Sequence, residues 1–259
     1  MLLHGLTGCE ESFYLLETAR FLLSKDFSLL RLNLRGAGPS RETCRGQYCA
    51  GSSDDLYCVL RQLPAESTRH GIVLVGYSLG GNIVLKFLAE KRRGVDITCA
   101  IAVSAPIDLG AAAQRMMAPR NRLYQEWLLR RMAVEATGGS ASVSDAERQA
   151  IAAARTVYDF DNRFVAPRHG YTDAGDYYQN CSAGGMLVDI ETPALIIHAR
   201  NDPWIPQAAF ENIDKTELPN ISLALADSGG HVGFHGRTGQ TPWHNQCAYD
   251  YLSPFFSVS

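Results

Sequence analysis

The chain has 259 residues, of which 46% are hydrophobic and 20% charged, an ordinary composition for a globular protein that buries a sizeable core. Its 24 basic and 27 acidic residues leave a net charge of −3, which argues against a nucleic-acid-binding surface and against an acidic solvating tail. No uncharged apolar run approaches the length of a membrane span, so we expect no transmembrane segment.

Seven cysteines without paired spacing argue against a disulfide framework, and no C-x-x-C pair suggests a zinc site, so we expect no bound metal. This cysteine usage suits a reducing compartment. The first residues show no pattern typical of a signal peptide. We therefore expect a cytoplasmic protein.

Short apolar runs alternate with helical patterns along the chain. The runs predict strands buried on both faces of a parallel sheet, over residues 27–34, 72–75, 97–103, 194–199 and 221–225. Apolar spacing predicts helices over residues 56–63 and 81–90. The alternation predicts an α/β fold with a mostly parallel sheet flanked by helices.

The alternation is interrupted between about Asp108 and Tyr178, where no strand is predicted. Helical patterns cover residues 111–117, 121–132 and 145–157 instead. An insertion of this kind is typical of a lid over a site. We therefore expect a core half over 1–107, a helical lid over 108–185 and a second core half over 186–259.

Residues 76–80 read G-Y-S-L-G and fit the G-x-S-x-G pattern of a nucleophile elbow. The serine of such an elbow lies on a sharp strand-to-helix turn, where bulky neighbours would collide. The pattern alone also fits a glycine-rich turn. Because an apolar strand precedes it and a helix follows it, the context favours Ser78 as a nucleophile.

Residues 4–8 read H-G-L-T-G and suit a loop that stabilises an oxyanion with backbone N–H groups. In an elbow fold one donor follows the nucleophile and the other comes from a separate loop, which predicts the N–H groups of Leu79 and Leu6. The alternative is a simple turn at His4 and Gly5. We expect His4 to orient the loop rather than to transfer protons.

A serine nucleophile needs a base, and the base needs an orienting carboxylate. Asp202 directly follows a predicted strand, and His231 follows the next strand after two glycines, which predicts them as the acid and the base. His235 and His244 are the competing bases, and Asp227 is the weaker candidate acid because it lies close to the histidine in sequence.

Part of the predicted lid has an apolar face of Leu123, Tyr124, Trp127 and Leu128 at helical spacing. Arginines surround it at positions 115, 120, 122, 130 and 131. These features fit a lid that contacts a lipid surface peripherally. They fit better an ordinary amphipathic helix that docks on the core with solvated arginines.

Further motifs extend over nearly the whole chain: L-R-G-A-G at 34–38, V-S-A-P at 103–106, Y-Q-E-W-L-L at 124–129, Y-D-F-D-N at 158–162, D-Y-Y at 176–178, H-A-R-N-D-P at 198–203 and G-G-H-V-G-F at 229–234. With the elbow and the 4–8 loop, they resemble the YheT-like branch of the α/β-hydrolase superfamily. That branch includes bacterial predicted hydrolases, plant embryogenesis-associated proteins and mammalian α/β-hydrolase-domain lipases.

The resemblance implies an α/β-hydrolase fold and a triad of Ser78, Asp202 and His231. It also implies a serine hydrolase of short-chain esters or acylglycerol-type lipids that works through an acyl-enzyme without a cofactor. An acyltransferase to an alcohol acceptor and a non-catalytic binding module are the alternatives. In this family the 4–8 loop follows the third strand, so we expect the two preceding strands to be missing from this sequence.

Overall fold

The structure is a computed structural model, and it describes residues 1–211, 213, 216–234 and 241–256. The strands are β1 (Leu2–Leu3), β2 (Arg31–Leu32), β3 (Val73–Tyr77), β4 (Cys99–Val103), β5 (Ala194–Ala199) and β6 (Ile221–Ala226). They form one parallel sheet in the order β2-β1-β3-β4-β5-β6. The α/β fold with a mostly parallel sheet that the sequence predicts is confirmed.

The helices of the described residues are α1 (Phe13–Leu23), α2 (Ser53–Arg61), α3 (Ala65–Thr68), α4 (Leu79–Ala89), α5 (Leu109–Met116), α6 (Arg122–Thr137), α7 (Asp145–Ala153), α8 (Val157–Phe160), α9 (Ala166–Arg168), α10 (Ala174–Cys181), α11 (Ala208–Glu211) and α12 (Trp243–Phe256). Short 3₁₀ turns lie at Gly38–Glu42, Pro119–Asn121 and Gly184–Asp189, and a π-helical turn lies at Asp161–Val165. Within the described residues, no helix combines the length and the apolar character that a bilayer crossing requires.

The core lies on both faces of the sheet because side chains alternate along each strand. On one face, Val75 and Ile101 pack with buried residues of α1 and α12. On the other face, Leu74 and Ala102 pack with buried residues of α2 and α4. Both faces of the central strands are therefore covered, which explains why their sequences are continuous apolar runs.

The strand predicted over residues 27–34 is shorter in the structure, where only Arg31–Leu32 is β2. β2 lies at the edge of the sheet, and its neighbour β1 offers only the pairs Leu2↔Arg31 and Leu3↔Leu32. A strand extends only as far as its partner, so the remaining apolar residues of this run form no ladder.

Between β4 and β5 the described chain is helical, from α5 to α10 and the 3₁₀ turn that follows. The single helix predicted over 145–157 is two helices, α7 and α8. The break comes at Thr156, whose hydroxyl accepts the N–H of Asp159 at 3.0 Å and starts a new helix with a capping box. Capping chemistry thus divides an otherwise continuous helical pattern.

Candidate active site

The candidate site lies at the carboxyl edge of the sheet, where β3 turns into α4. Ser78 occupies this turn with φ 51° and ψ −121°, a conformation that non-glycine residues rarely adopt. A side chain on Gly80 would place its Cβ 2.5 Å from the carbonyl oxygen of His4, and one on Gly76 would collide with the backbone of α4. The two glycines of the motif are therefore required by close backbone packing.

Three predicted side chains form a hydrogen-bonded line at this edge. The Oγ of Ser78 lies 2.9 Å from Nε2 of His231, and Nδ1 of the same imidazole lies 2.8 Å from Oδ2 of Asp202. Because a carboxylate only accepts, Nδ1 carries the proton, and Nε2 of the neutral ring accepts from the serine hydroxyl. The arrangement can transfer a proton from Ser78 to His231.

The carboxylate of Asp202 is buried and fully engaged. Its Oδ1 accepts the N–H groups of Trp204 at 2.8 Å and Ile205 at 3.0 Å, while Oδ2 faces the imidazole. The turn that follows β5 thus fixes the carboxylate orientation with backbone donors. A carboxylate held in this way favours the charged imidazolium that appears when His231 accepts a proton.

The loop that carries His231 is tied to the loop that carries Asp202. Oδ1 of Asn201 accepts the N–H groups of both Gly229 and Gly230 at 2.9 Å. The ring of Trp204 lies 4.5 Å from the imidazole of His231. These contacts set the histidine between its two partners.

The competing residues lie elsewhere. Asp227 has 98% of its side chain exposed and pairs with Arg200 at 3.4 Å. His244 is buried in α12 with its ring against Tyr77. His235 lies outside the described residues.

The 4–8 loop runs directly over the elbow. A Cβ on Gly5 would lie 2.9 Å from Cβ of Ser78. Nδ1 of His4 donates to the carbonyl oxygen of Gly5 at 2.8 Å, and its Nε2 accepts the N–H of Leu34 at 3.1 Å. Burial lowers the pKa of His4, which favours the neutral ring that this pair of hydrogen bonds requires. The loop is also held at Gly5, whose N–H donates to the hydroxyl of Tyr14 at 2.9 Å.

The two predicted oxyanion donors, Leu6 and Leu79, line the same cavity as Ser78. The N–H of Thr7 is engaged, because it donates to the hydroxyl of Tyr48 at 2.8 Å. Within the described part of the chain, the N–H groups of Leu6 and Leu79 have no hydrogen-bond partner. Leu79 is also the first residue of α4, where the helix dipole favours negative charge. This pair of donors can bind an oxygen anion.

A cavity of about 650 Å³ opens above Ser78 and His231. The helices between β4 and β5 supply most of its apolar wall: Leu109, Met116, Leu128, Met132, Val157, Phe160 and Phe164. Such a wall suits a hydrocarbon group better than a charged one.

Sequence reasoning missed Asp161, which lines this cavity from the π-helical turn. Burial raises the pKa of its carboxyl to about 7, although the hydroxyl of Tyr178 donates to Oδ2 at 2.7 Å and opposes the shift. The Y-D-F-D-N segment contains this residue, but an isolated aspartate in a helical pattern does not reveal its burial.

The apolar face predicted for α6 is divided in the structure. Leu128 is buried, whereas Leu123 is 81% exposed and Trp127 is 48% exposed. Tyr124 stacks on Trp204 with ring centroids 3.8 Å apart. Only part of this face therefore packs inward. Over the described residues, no group of three or more His, Cys, Asp or Glu side chains is arranged to hold a metal ion.

Residues 1–238 match the family defined by the alpha/beta hydrolase fold. The chain belongs to this family. It is 31% identical over 263 aligned positions to the Escherichia coli protein YheT, whose name assigns it to the esterases, covering 98% of this chain and 76% of that protein. The resemblance of this family member to the YheT-like branch is therefore confirmed.

Other relatives of this α/β hydrolase are longer than the chain itself. It is 31% identical to a monoacylglycerol lipase of Saccharomyces cerevisiae, covering 98% of this chain and 59% of the lipase. It is 27% identical to phospholipase ABHD3 of Mus musculus, covering 96% of this chain and 60% of the phospholipase. These names denote hydrolases, which supports the hydrolase class that the sequence predicts.

Solved structures share the fold at low sequence identity. The Pyrococcus furiosus esterase Pf2001 has a TM-score of 0.65 and 19% identity, covering 99% of this chain and 80% of that chain. Mouse alpha/beta hydrolase domain-containing protein 10 has a TM-score of 0.58 and 14% identity, covering 99% of this chain and 89% of that chain. The α/β-hydrolase fold of this chain is thus confirmed by structural as well as sequence similarity.

Proposed function

We propose that this α/β hydrolase cleaves carboxylic esters with Ser78 as nucleophile, His231 as general base and Asp202 as orienting acid. The observation that carries the proposal is the line of hydrogen bonds from Ser78 through His231 to Asp202, at 2.9 and 2.8 Å. The N–H groups of Leu6 and Leu79 support it, because both residues line the same cavity as Ser78 and neither N–H has a partner among the described residues. So do the esterase and lipase names of the relatives.

In the first half-reaction the Oγ of Ser78 attacks the ester carbonyl carbon while Nε2 of His231 takes the hydroxyl proton. The carbonyl oxygen becomes an oxyanion that accepts hydrogen bonds from the N–H groups of Leu6 and Leu79. The bond to the alcohol oxygen then breaks. His231 returns the proton to the departing alcohol, and the acyl group stays on Ser78.

In the second half-reaction water replaces the alcohol. His231 removes a proton from the water as its oxygen attacks the acyl carbon, and the same two N–H groups bind the second oxyanion. The bond to Ser78 breaks and its Oγ recovers the proton from His231. Asp202 remains ionised throughout and stabilises the imidazolium that forms in each step.

The substrate that fits best is an ester with an apolar acyl group, because the cavity wall is apolar. We place the lid over residues 108–185, whose helices supply most of that wall. Peripheral contact of this lid with a lipid surface is a further proposal, supported by the exposure of Leu123 and Trp127. A cytoplasmic location fits the seven cysteines, all of which are free thiols.

The proposal predicts that Ser78→Ala abolishes ester hydrolysis. We expect kcat to fall by about 10⁴-fold or more, because the acyl-enzyme cannot form. A panel of chromogenic esters of increasing acyl length measures this loss, and a fluorophosphonate probe reports the nucleophile directly by covalent labelling of the folded protein.

Ser67→Ala is the matched control, since Ser67 is exposed on α3, and this variant should keep full activity and labelling. Equal hydrolysis or equal labelling in wild type and Ser78→Ala would contradict the proposal. Adding an alcohol acceptor to the same assay separates hydrolysis from acyl transfer. Faster release of the new ester than of free acid would favour the acyltransferase.

A further inference from the structure

The 4–8 loop depends for its shape on contacts from outside the loop. We propose that Arg131 and Glu135 of α6, together with Tyr48, are positioning residues that hold this loop so that the N–H of Leu6 faces the substrate. The inference rests on the proposed function, because it assumes that Leu6 donates to an oxyanion. It assigns α6 a second role besides its place in the cavity wall.

Thr7 is the residue on which these contacts act. It is buried and has φ 56°, in the left-handed region that non-glycine residues rarely occupy. Such a conformation is unfavourable for a residue other than glycine, and it persists only where the surroundings impose it. Groups that bind the Thr7 backbone can supply the stabilising contacts.

Both backbone polar groups of Thr7 are bound by side chains. Its carbonyl oxygen accepts from Nη2 of Arg131 at 2.9 Å, and its N–H donates to the hydroxyl of Tyr48 at 2.8 Å. The two contacts lie on either side of the same Cα and so fix the peptide planes before and after it. The guanidinium of Arg131 also lies 5.0 Å from the ring centroid of Trp127, which restrains the arginine.

Glu135 orients the hydroxyl group of Tyr48 that binds the N–H of Thr7. The hydroxyl of Tyr48 donates to Oε2 of Glu135 at 3.1 Å, and Oε1 of Glu135 pairs with Nη2 of Arg41 at 3.1 Å. Burial and the nearby carboxylate raise the pKa of Tyr48 well above its usual value, so the hydroxyl keeps its proton. Since that proton points to Glu135, the oxygen of Tyr48 is left to accept from Thr7.

The consequence for Leu6 follows from chain geometry. The peptide that joins Leu6 to Thr7 is planar, so a fixed Thr7 N–H also fixes the direction of the Leu6 carbonyl group. If Thr7 relaxed to negative φ, this peptide would rotate about the Cα–C bond of Leu6, and we expect the neighbouring N–H of Leu6 to lose its proposed orientation. The orientation of the 4–8 loop therefore depends on Arg131 and Glu135 of α6.

Tyr48→Phe tests the inference by removing one oxygen atom. We expect kcat to fall about 10- to 100-fold, less than for complete loss of a donor, while KM changes by less than about two-fold. A boronic acid that mimics the tetrahedral intermediate should lose affinity by the same factor as kcat. A non-hydrolysable substrate analogue with a planar carbonyl should bind as before, because it develops no oxyanion.

Tyr57→Phe is the matched control, because the hydroxyl of Tyr57 is likewise bound to the backbone, donating to the carbonyl oxygen of Arg93 at 2.9 Å, but away from the site. Glu135→Gln keeps an acceptor for Tyr48, so we expect it to lose less kcat than Glu135→Leu. Arg131→Met should reproduce the loss of kcat at unchanged KM. These α6 variants test the inference even if Tyr48→Phe folds poorly, which its melting temperature would reveal.

The inference is wrong if the Tyr48 and Arg131 variants lower kcat no more than Tyr57→Phe, or if they raise KM alone. The proposed function is judged separately on the wild type. An unlabelled and inactive wild type would contradict the proposed function. An active wild type whose Tyr48→Phe variant is equally active would contradict only the positioning role.

Discussion

Residues in strained backbone conformations concentrate around the candidate nucleophile. Thr7, Ser78, Ser104 and Val232 all have φ between 50° and 56°, although none is a glycine. Ser104 and Val232 touch each other, since Oγ of the serine accepts the N–H of the valine at 3.3 Å. Strain of this kind persists only where packing imposes it, and it is typical of functional sites.

Gly5 illustrates how closely the 4–8 loop approaches the elbow. In Gly5→Ala the new methyl group would lie 2.9 Å from Cβ of Ser78 and 3.2 Å from the carbonyl oxygen of Tyr77. We expect a fall in kcat of about 10-fold or more, because even a small displacement of the proposed oxyanion donors lowers the rate. Ester hydrolysis measured at saturating substrate checks this.

The control for that change is Gly185→Ala, since a Cβ at Gly185 meets nothing within 4 Å. This variant should keep wild-type kcat. If Gly5→Ala were as active as Gly185→Ala, the loop could move to accommodate the methyl group without loss of activity. The close approach of the loop to Ser78 would then not matter for catalysis.

At the scale of elements, Asn82 joins α4 to two other parts of the chain. Its Nδ2 donates to the carbonyl oxygens of Ala50 at 3.3 Å and Cys181 at 2.8 Å, and its Oδ1 accepts the N–H of Ala183 at 2.9 Å. The amide is fully buried. This one side chain thus connects α4, the helix that follows Ser78, to the end of α10.

Asn82→Ala should lower the free energy of unfolding by about 3 kcal/mol or more, because it leaves three buried backbone groups without a partner at roughly 1–3 kcal/mol each. Urea denaturation followed by circular dichroism measures the change. Asn180→Ala is the matched control, since the amide of Asn180 donates to Asp176 on the exposed side of α10, and it should change stability by less than about 1 kcal/mol. Equal effects would contradict this role of Asn82.

At the scale of the whole molecule, the buried carboxyl of Asp161 makes stability depend on pH. Its pKa in the folded protein is about 7, raised from 3.8 mainly by burial. The folded state therefore binds this proton more tightly than the unfolded chain does. The stabilisation of the folded state by the protonated carboxyl of Asp161 is complete below about pH 4 and is lost as pH rises towards 7.

Asp161→Asn should remove this dependence while its amide oxygen still accepts from Tyr178. At pH 8 the variant should exceed the wild type in unfolding free energy by about 2–3 kcal/mol more than it does at pH 5, because only the wild type loses stability over this range. Urea denaturation at the two pH values measures the difference. Asp227→Asn is the control, because Asp227 is exposed and should show no such gain, and a parallel pH dependence in wild type and Asp161→Asn would contradict the assignment.

The sequence predicted the central strands and the residues that follow them, because buried parallel strands are continuous apolar runs and their carboxyl ends meet at one edge. It did not predict α1, whose buried face mixes Leu15 and Leu22 with the polar Thr18 and whose N-cap Ser12 makes no side-chain cap. It also overestimated β2, whose length depends on β1 rather than on its own residues. Partners distant in sequence decide such features.

The hydrogen bond between Ser78 and His231 spans 153 positions of the chain. During synthesis at roughly 5–20 residues per second, the serine therefore precedes its histidine by about 8–30 s. Throughout that interval the hydroxyl of Ser78 is present in the nascent chain without the proposed base, His231. If Ser78 and His231 act as proposed, an ester that meets the nascent chain before His231 is synthesised is not hydrolysed by it.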